Sequence, residues 1–179
     1  IETGFGRFGI FASDLPTVVE EIKRLQFEIE GVFSHFAMAD EVANHPQTDL
    51  QLARFINALD ILAAAGVYPA LIHFSNSAVA FAIPKAHFSM LRIGTAFLGM
   101  KPFYYAPMPA GLKRSIQWKS YLASCKLFPT GHPIGYGATY ITLKDEWIGV
   151  VPVGYADGYR RSNSNRVLID GKSVPVVGR

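Results

Sequence analysis

Polar side chains follow several apolar stretches of the chain, at the points where predicted strands end. They are His35, Asn76, Ser77, Arg92, Gly94 and Thr95. An arginine at the end of an apolar strand must be paired or must bind something when it is buried, so Arg92 is the strongest candidate for a binding role. His35 taken alone is more often a hydrogen-bonded core histidine than a catalyst, and both interpretations stay open here.

The tripeptide Ser75-Asn76-Ser77 precedes a short apolar helix and could bind an anion. Its hydroxyls and the free backbone N–H groups of the helix start can bind a phosphate, and Gly94 allows the backbone to approach the same anion closely. The simpler alternative is that Ser75 or Asn76 only caps the helix. For the tripeptide alone, capping is the favoured interpretation.

The glycine-rich segment 4–9 matches the dinucleotide motif G-x-G-x-x-G literally. That motif must open a helix directly, whereas here three residues intervene before a helix start at Ser13-Asp14. We therefore predict a tight loop that exposes Arg7. Asp40, Glu41 and His45 have no metal-ligand spacing, so we predict no metal site.

The stretch 148–161 combines an apolar run with a turn. Residues 148–153 predict a buried strand, and Asp157-Gly158 predicts a turn. Four large side chains surround that turn: Tyr155, Tyr159, Arg160 and Arg161. The tyrosines either fill a hydrophobic layer or serve a site, and the stretch alone favours neither.

The first 111 residues alternate predicted strands with predicted helices. Strands are predicted at 31–36, 69–74 and 89–93. Helices are predicted from the Ser13-Asp14 cap with Pro16 to about Leu25, from a Thr48 or Asp49 cap to Gly66, and over 78–83. This alternation predicts a parallel sheet. It accounts for about half of a (β/α)8 barrel, which needs ~250 residues.

Helical periodicity disappears after a proline-rich bridge at 102–109. Residues 115–127 form one long strand-like run, and turn signals then recur to the end of the chain. Asp170-Gly171 lies between two apolar runs and predicts a tight hairpin. The predicted domains are 1–111, part of an α/β barrel, and 112–179, part of an all-β domain.

The composition excludes several classes of protein. Half of the 179 residues are hydrophobic and 17% are charged, which is typical of a globular protein. The net charge of +3 comes from scattered residues, so nucleic acid is not a predicted partner. No apolar run approaches the ~20 residues of a membrane span. The single cysteine, Cys125, allows no internal disulfide and favours a reducing, cytoplasmic location.

Six segments in this order resemble the alanine racemase family: TGFGRFG (3–9), SHFAMAD (34–40), SNS (75–77), RIG (92–94), GYGATY (135–140) and VGYADGY (153–159). The resemblance spans the whole chain. It implies a pyridoxal-phosphate enzyme with an N-terminal barrel, a C-terminal β-domain and a head-to-tail homodimer. The implied reaction is two-base racemisation of L-alanine to D-alanine, which supplies peptidoglycan.

The resemblance also implies residue roles. Tyr136 is the base that acts on the L-amino acid in the partner's barrel, His35 hydrogen-bonds it, and Arg92 faces the pyridine nitrogen of the cofactor. The residues implied for the phosphate are Asn76, Ser77, Gly94 and Thr95, and those near the substrate are Arg7 and Tyr155. The substrate corridor is expected to include Asp40, Arg161 and Arg179.

Some features depart from the family pattern. The lysine that holds the cofactor is expected upstream of Ile1, so we expect the chain to be a fragment that lacks both this lysine and the family's C-terminal end. Residues that are less common in the family stand at four positions: Glu2, Phe5, Thr95 and Phe97. A tyrosine base needs its pKa brought down from about 10, and nearby arginines are the available source.

Three alternative functions remain. A serine or broad-specificity racemase would use the same scaffold. An amino-acid decarboxylase of the same fold type would be expected to carry a cysteine and acidic residues at 135–137, which argues against it. A non-catalytic cofactor-binding protein would normally consist of the barrel alone, so the β-rich segment after residue 112 disfavours it.

Overall fold

The structure is a computed structural model that describes residues 1–162 and 165–178. The chain forms two compact units, Ile1–Gln117 and Trp118–Arg179, here called the N-terminal and C-terminal units. The predicted domain boundary, between residues 111 and 112, lies a few residues earlier in the chain and stays a prediction. No helix in the described residues combines the length and hydropathy that crossing a lipid bilayer requires.

The N-terminal unit alternates helices and short strands. Its elements are α1 (Leu15–Leu25), β1 (Gly31–Phe33), α2 (Pro46–Ala64), β2 (Leu71–His73) and α3 (Ser77–Ala82), with 3-10 turns at Ala12–Asp14, Pro84–Ala86 and Thr95–Leu98. β1 and β2 pair in parallel, with Val32 opposite Ile72. This parallel pair is what the alternating pattern predicts.

Helix α1 begins as the sequence predicts. Pro16 lies in its first turn, where the fixed φ of proline suits a helix and no N–H is missed. Asp14 is the N-cap residue, but its side chain makes no capping hydrogen bond. Leu15 and Val19 are buried against the core, and Gln26 ends the helix with a φ of 55°.

Helix α2 begins earlier than predicted. The expected cap at Thr48 or Asp49 is wrong, because the helix starts at Pro46 with His45 as its N-cap. The Nδ1 atom of His45 accepts a hydrogen bond from the Gln47 backbone N–H at 3.1 Å. Proline is favoured at the first helical position, and this preference moves the start of the helix upstream.

The predicted strand at 89–93 is wrong in detail. Ser89 and Arg92 still donate backbone hydrogen bonds to Ile72 and Ser75, so the segment runs beside β2. The Ser89 hydroxyl, however, accepts from the Ile72 N–H at 2.6 Å and donates to the Ile72 carbonyl oxygen at 3.0 Å. A side chain thus takes the place that a backbone group would have in a regular ladder.

Three aromatic rings form the centre of the N-terminal core. Phe36, Phe55 and Phe74 are all buried. The rings of Phe36 and Phe74 stack with centroids 3.7 Å apart, and Phe55 packs 4.7 Å from Phe74. Phe74 follows β2 directly, and Phe36 lies shortly after the end of β1, so this packing fixes the two segments that leave the sheet.

The C-terminal unit consists of antiparallel strand pairs in its described residues. The strands are β3 (Ser124–Phe128), β4 (Pro133–Ile134), β5 (Tyr140–Ile141), β6 (Glu146–Val150), β7 (Arg166–Ile169) and β8 (Lys172–Pro175). The pairs are β3 with β6, β4 with β5, and β7 with β8. The predicted hairpin at Asp170-Gly171 is confirmed, and both turn residues have positive φ, as a two-residue turn requires.

Two strand predictions in this unit are wrong in extent. The long run at 115–127 is a strand only from Ser124 onwards, and the run at 148–153 ends at Val150. Pro152 cannot donate a ladder hydrogen bond, so β6 stops before it. No strand among the described residues pairs with those before Ser124. β6 is also not buried, since Val150 is 55% exposed.

Candidate active site

The ends of β1 and β2 bring two histidines together. One more backbone hydrogen bond follows the ladder, from the Ser34 N–H to the His73 carbonyl oxygen at 3.3 Å. Beyond it the chain leaves the sheet, with Phe36 and Phe74 turned into the core. Successive side chains in an extended chain point to opposite sides, which places His35 away from the core.

The Arg92 guanidinium joins these two strand ends through both of its terminal nitrogens. Nη1 lies 2.5 Å from His73 Nδ1 and 3.1 Å from the His73 carbonyl oxygen. Nη2 lies 2.7 Å from the Ser34 carbonyl oxygen and 3.1 Å from His35 Nδ1. The Arg92 guanidinium also lies 5.5 Å from the centre of the Phe33 ring. The predicted need of a buried arginine for acceptors is therefore met by four groups of its own chain.

These contacts fix the protonation of both histidines. Arginine nitrogens can only donate, so Nδ1 of His35 and of His73 must accept, and each neutral ring carries its proton on Nε2. Burial, followed by the charges of Arg92 and Arg7, lowers the pKa of His35, although Asp40 opposes the shift. Burial and Arg92 also lower the pKa of His73. His35 is thus held as a neutral donor through Nε2.

Arg7 lies in a loop beside the same histidine. The Glu2 carboxylate accepts hydrogen bonds from the backbone N–H groups of Phe5 and Gly6 at 2.9 Å, and also from Gly4. The loop exposes Arg7, as the sequence predicts. Its guanidinium lies 4.6 Å from the centre of the Phe5 ring.

The Phe5 ring connects the Arg7 loop to the histidine. It meets His35 edge to face at 4.8 Å, a favoured arrangement for aromatic rings. The 3–9 loop and the 34–40 segment are therefore joined through the Phe5 side chain.

The predicted phosphate-binding residues lie where two short helices begin. Asn76 caps α3, because its Oδ1 accepts from the Val79 N–H at 3.0 Å. The Ser77 hydroxyl oxygen accepts from the backbone N–H groups of Gly94 and Ala96 at 3.0 and 3.3 Å. Thr95 begins the 3-10 turn Thr95–Leu98. The structure thus joins Ser77 directly to the 94–96 backbone, and it gives Asn76 the capping role that the simpler alternative proposed.

The remaining predicted site residues belong to the C-terminal unit. Tyr136 is 84% exposed and opens the 3-10 turn Tyr136–Ala138. The flanking Gly135 and Gly137 have φ of 71° and 70°, which glycine adopts without strain. Tyr155 is 66% exposed in a second such turn. Arg161 is exposed, whereas Arg179 lies outside the described residues.

The two tyrosines of the 148–161 stretch differ in their surroundings. Tyr159 packs edge to face against Trp118, with ring centres 6.2 Å apart, and its buried hydroxyl has no hydrogen-bond partner among the described residues. Tyr155 projects from the surface of the unit. Packing therefore accounts for Tyr159 and leaves Tyr155 as the candidate for a functional role.

Sequence reasoning missed several residues of this site. His73 lies within the predicted strand 69–74, and its position near the strand end was the available signal. Gln51 of α2 and Thr3 bind the segment that follows β1 through buried polar atoms, Gln51 at the His35 carbonyl oxygen and Thr3 at the Ser34 hydroxyl. No group of three potential metal-ligating side chains occurs in the described part of the chain.

An N-terminal unit of parallel strands and helices, followed by a β-strand unit, has clear relatives. Residues 1–102 match the family model "Alanine racemase, N-terminal domain", and residues 115–179 match "Alanine racemase, C-terminal domain". The chain therefore belongs to the alanine racemase family.

Individual family members match the chain over its full length. An alanine racemase of Symbiobacterium thermophilum is 46% identical over 181 residues, which cover 99% of this chain and 48% of that protein. The chain thus spans about half the length of the curated relatives it matches.

Solved structures of alanine racemases are also similar to this chain. The alanine racemase of E. faecalis superimposes with a TM-score of 0.90 and 36% identity over 100% of this chain and 48% of its own. The Bacillus anthracis alanine racemase, solved with bound L-Ala-P, has a TM-score of 0.87 and 37% identity over 99% of this chain and 47% of its own. This similarity confirms the predicted fold class, part of a barrel followed by part of a β-domain.

Proposed function

We propose that the protein containing this chain racemises L-alanine and D-alanine with pyridoxal phosphate, through two bases on opposite faces of the substrate. The proposal rests on the Arg92 guanidinium with its two hydrogen-bonded terminal nitrogens, here called the Arg92 fork. The fork holds His35 and His73 as neutral donors at the edge where a barrel enzyme has its active site. Membership of the alanine racemase family supports the assignment. Supply of D-alanine for peptidoglycan in the cytoplasm belongs to the same proposal.

The described residues fit a phosphate-bearing cofactor. A Cβ placed on Gly94 would meet no atom within 4 Å, so the space beside its backbone is open. The Ser77 hydroxyl accepts two backbone hydrogen bonds and therefore keeps its own hydrogen for a ligand. We propose that the phosphate is held by Asn76, Ser77, Gly94 and Thr95. When bound, pyridoxal phosphate supplies the electron sink that acidifies the α-hydrogen of the amino acid.

Arg92 is proposed to face the pyridine nitrogen through Nε. Both terminal nitrogens are occupied, and Nε has no acceptor among the described residues. A guanidinium only donates, so this contact would keep the pyridine nitrogen unprotonated. A less electron-withdrawing ring favours prompt return of the proton over side reactions such as transamination.

His35 is proposed to tune the base Tyr136. Its Nε2–H can donate to a phenolic oxygen, and a hydrogen bond to the charged form favours that form. Arg92 holds the imidazole from the other side through Nδ1. Tyr136 then takes the α-proton from the L-amino acid, with Arg7 and Tyr155 beside the substrate.

Tyr136 is proposed to act in the barrel of a partner subunit. The residue belongs to the C-terminal unit and projects from it, with 84% of its surface exposed. An exposed aromatic side chain on a glycine-flanked turn suits an interface. The proposal therefore includes a homodimer in which each subunit completes the other's site.

An isotope-exchange experiment tests the two-base proposal. The full-length protein with Tyr136→Phe should lose at least about 100-fold in racemisation, within the range of general-base catalysis. In deuterated water it should no longer incorporate deuterium into L-alanine, yet it should still exchange the α-hydrogen of D-alanine through the other base. Tyr121→Phe, an exposed tyrosine in the same unit, is the control.

Two outcomes would contradict the assignment. An unchanged racemisation rate in Tyr136→Phe would remove this residue as a base. A wild-type protein that shows no exchange with either alanine enantiomer would remove the reaction itself. Parallel assays of D-serine and D-alanine formation separate a serine or broad-specificity racemase from an alanine racemase.

A further inference from the structure

Gln51 is a buried amide on the apolar side of helix α2. It is 0% exposed, and its neighbours Leu52, Phe55 and Ala58 on the same helix are also buried. A buried amide without partners costs free energy, so an aliphatic residue would be the simpler choice for this position. The hydrogen-bond partners of the amide must therefore explain why a glutamine occupies this position.

The Gln51 amide forms hydrogen bonds with two parts of the chain, the segment that follows β1 and the start of the chain. Its Oε1 accepts from the Ala37 N–H at 2.9 Å, and its Nε2 donates to the His35 carbonyl oxygen at 2.9 Å. Nε2 also lies 3.3 Å from the Thr3 hydroxyl. The Ala37 and His35 groups lie past the end of β1, so one side chain supplies what a neighbouring strand would supply.

The contacts continue from Gln51 to the Arg92 fork. The Thr3 hydroxyl is 2.8 Å from the Ser34 hydroxyl, and both residues are buried. The Ser34 carbonyl oxygen is the closest acceptor of Arg92 Nη2. Arg54, one turn after Gln51, donates to the Thr3 carbonyl oxygen at 3.0 Å. Helix α2 thereby binds both the His35–Ala37 backbone and the Thr3 backbone through its side chains.

We propose that Gln51 is a positioning residue, whose buried amide fixes the backbone at His35 and Ala37 so that the His35 imidazole stays where Arg92 binds it. The hydrogen bonds of Gln51 go to the backbone at His35 and Ala37 and to the Thr3 hydroxyl, so it acts on the His35 ring through the backbone. The effect on turnover rests on the racemase function proposed above, whereas the effect on the histidine does not.

A purely structural role for Gln51 makes different predictions. A residue that only stabilises the fold should affect activity no more than another equally destabilising core substitution in α2. Leu62, buried on the same helix, provides that comparison as Leu62→Ala. Asn57, an exposed amide of α2, provides the neutral comparison as Asn57→Met.

The main test is Gln51→Met in the full-length, cofactor-loaded protein. Methionine keeps the length of the side chain and removes all three hydrogen bonds. At a temperature well below every variant's melting point, we expect kcat to fall about 10- to 100-fold, as for other positioning effects, with KM within about threefold. Leu62→Ala and Asn57→Met should keep kcat within about twofold.

Gln51→Glu adds a pH-dependent form of the same test. The carboxyl retains the acceptor for the Ala37 N–H, and burial raises the pKa of a carboxyl. In its protonated form it can also donate to the His35 carbonyl oxygen, whereas the carboxylate repels that oxygen. The activity of this variant relative to wild type should therefore rise as the pH falls.

Histidine NMR separates this proposal from the racemase function. Wild type, Gln51→Met and Leu62→Ala are titrated after 15N-histidine labelling, with His35→Gln to assign the resonance. The pKa of His35 should move back towards its ordinary value only in Gln51→Met. An unchanged His35 titration, or a kcat loss equal to that of Leu62→Ala, overturns the positioning role. A shifted titration in a protein without racemase activity would reject only the proposed function.

Discussion

The N-terminal and C-terminal units differ in how far they bury and hydrogen-bond their candidate catalytic side chains. In the N-terminal unit, Arg92 donates to four acceptors, and both neighbouring histidines are fixed in one tautomer. In the C-terminal unit, Tyr136 and Tyr155 project from short glycine-flanked turns and are mostly exposed. One unit therefore preorganises its polar groups with its own backbone, whereas the other leaves these two side chains mostly exposed.

Arg92→Leu should have the largest effect on stability. The change removes the Arg92 donor of the Ser34 carbonyl oxygen, whereas the His73 carbonyl oxygen keeps the Ser34 N–H. An unsatisfied buried acceptor costs about 1–3 kcal/mol. We expect the free energy of unfolding to fall by about 3 kcal/mol, measured by urea denaturation of the full-length protein. Arg92→Lys should recover only part of it, because a lysine cannot reproduce the planar fork.

Arg114→Leu is the matched control for this prediction. Arg114 is an exposed arginine of the same unit, and exposed substitutions usually change stability by less than about 0.5 kcal/mol. Equal losses in the two variants would show that the fork contributes nothing beyond a surface charge.

The sequence predicted the residues of the N-terminal site better than their contacts. Arg92 and His35 could be identified because polar residues at strand ends meet at one edge of a parallel sheet. Ser89 could not be foreseen, because its hydroxyl competes with the backbone only once Ile72 lies beside it. Gln51 was missed because helical periodicity identifies apolar faces, and a buried amide within one depends on partners far along the chain.

Predictions were weaker in the C-terminal unit, for a related reason. A strand forms only with a partner, so the strand-like run at 115–127 became a strand only where β6 lies opposite. The Asp170-Gly171 hairpin was predictable because its turn depends on local backbone preferences. The role of Tyr136 remains a proposal, since local sequence does not specify what an exposed side chain will meet.

Ser77→Ala should have an intermediate effect on stability and a clear effect on cofactor affinity. The hydroxyl accepts from two backbone N–H groups, of which the one of Ala96 is buried, so its removal should lower the free energy of unfolding by about 1–2 kcal/mol. Equilibrium binding of pyridoxal phosphate should weaken as well. Ser13→Ala, an exposed serine, should change neither quantity, and normal cofactor affinity in Ser77→Ala would reject the proposed phosphate contact.

The two histidines should make stability depend on pH. Because the pKa of His35 and of His73 is lowered on folding, their contribution is fully present above the ordinary histidine pKa of about 6.5. As the pH falls through that value, the unfolded chain binds protons that the folded chain does not, and stability decreases. The effect should be smaller than that of Ser77→Ala, because both rings retain access to water.

Denaturation curves at pH 7 and pH 5 measure this dependence. The decrease in the free energy of unfolding between these pH values should be smaller in a His35→Gln, His73→Gln double variant than in wild type. An identical decrease would mean that other groups, such as carboxylates, account for it.

Tyrosine-to-phenylalanine changes in the C-terminal unit should have the smallest effects on the free energy of unfolding. The sign of each change tests the contrast between the two units. Tyr136→Phe should change the free energy of unfolding by less than about 0.5 kcal/mol, because the side chain is 84% exposed. Tyr159→Phe should be neutral or stabilising by up to about 1 kcal/mol, because it removes a buried hydroxyl without a partner among the described residues. Urea denaturation measures both. If Tyr136→Phe cost as much as Arg92→Leu, the Tyr136 phenol would be held as firmly as the Arg92 guanidinium, and the two units would not differ in the way that the proposed dimeric site requires.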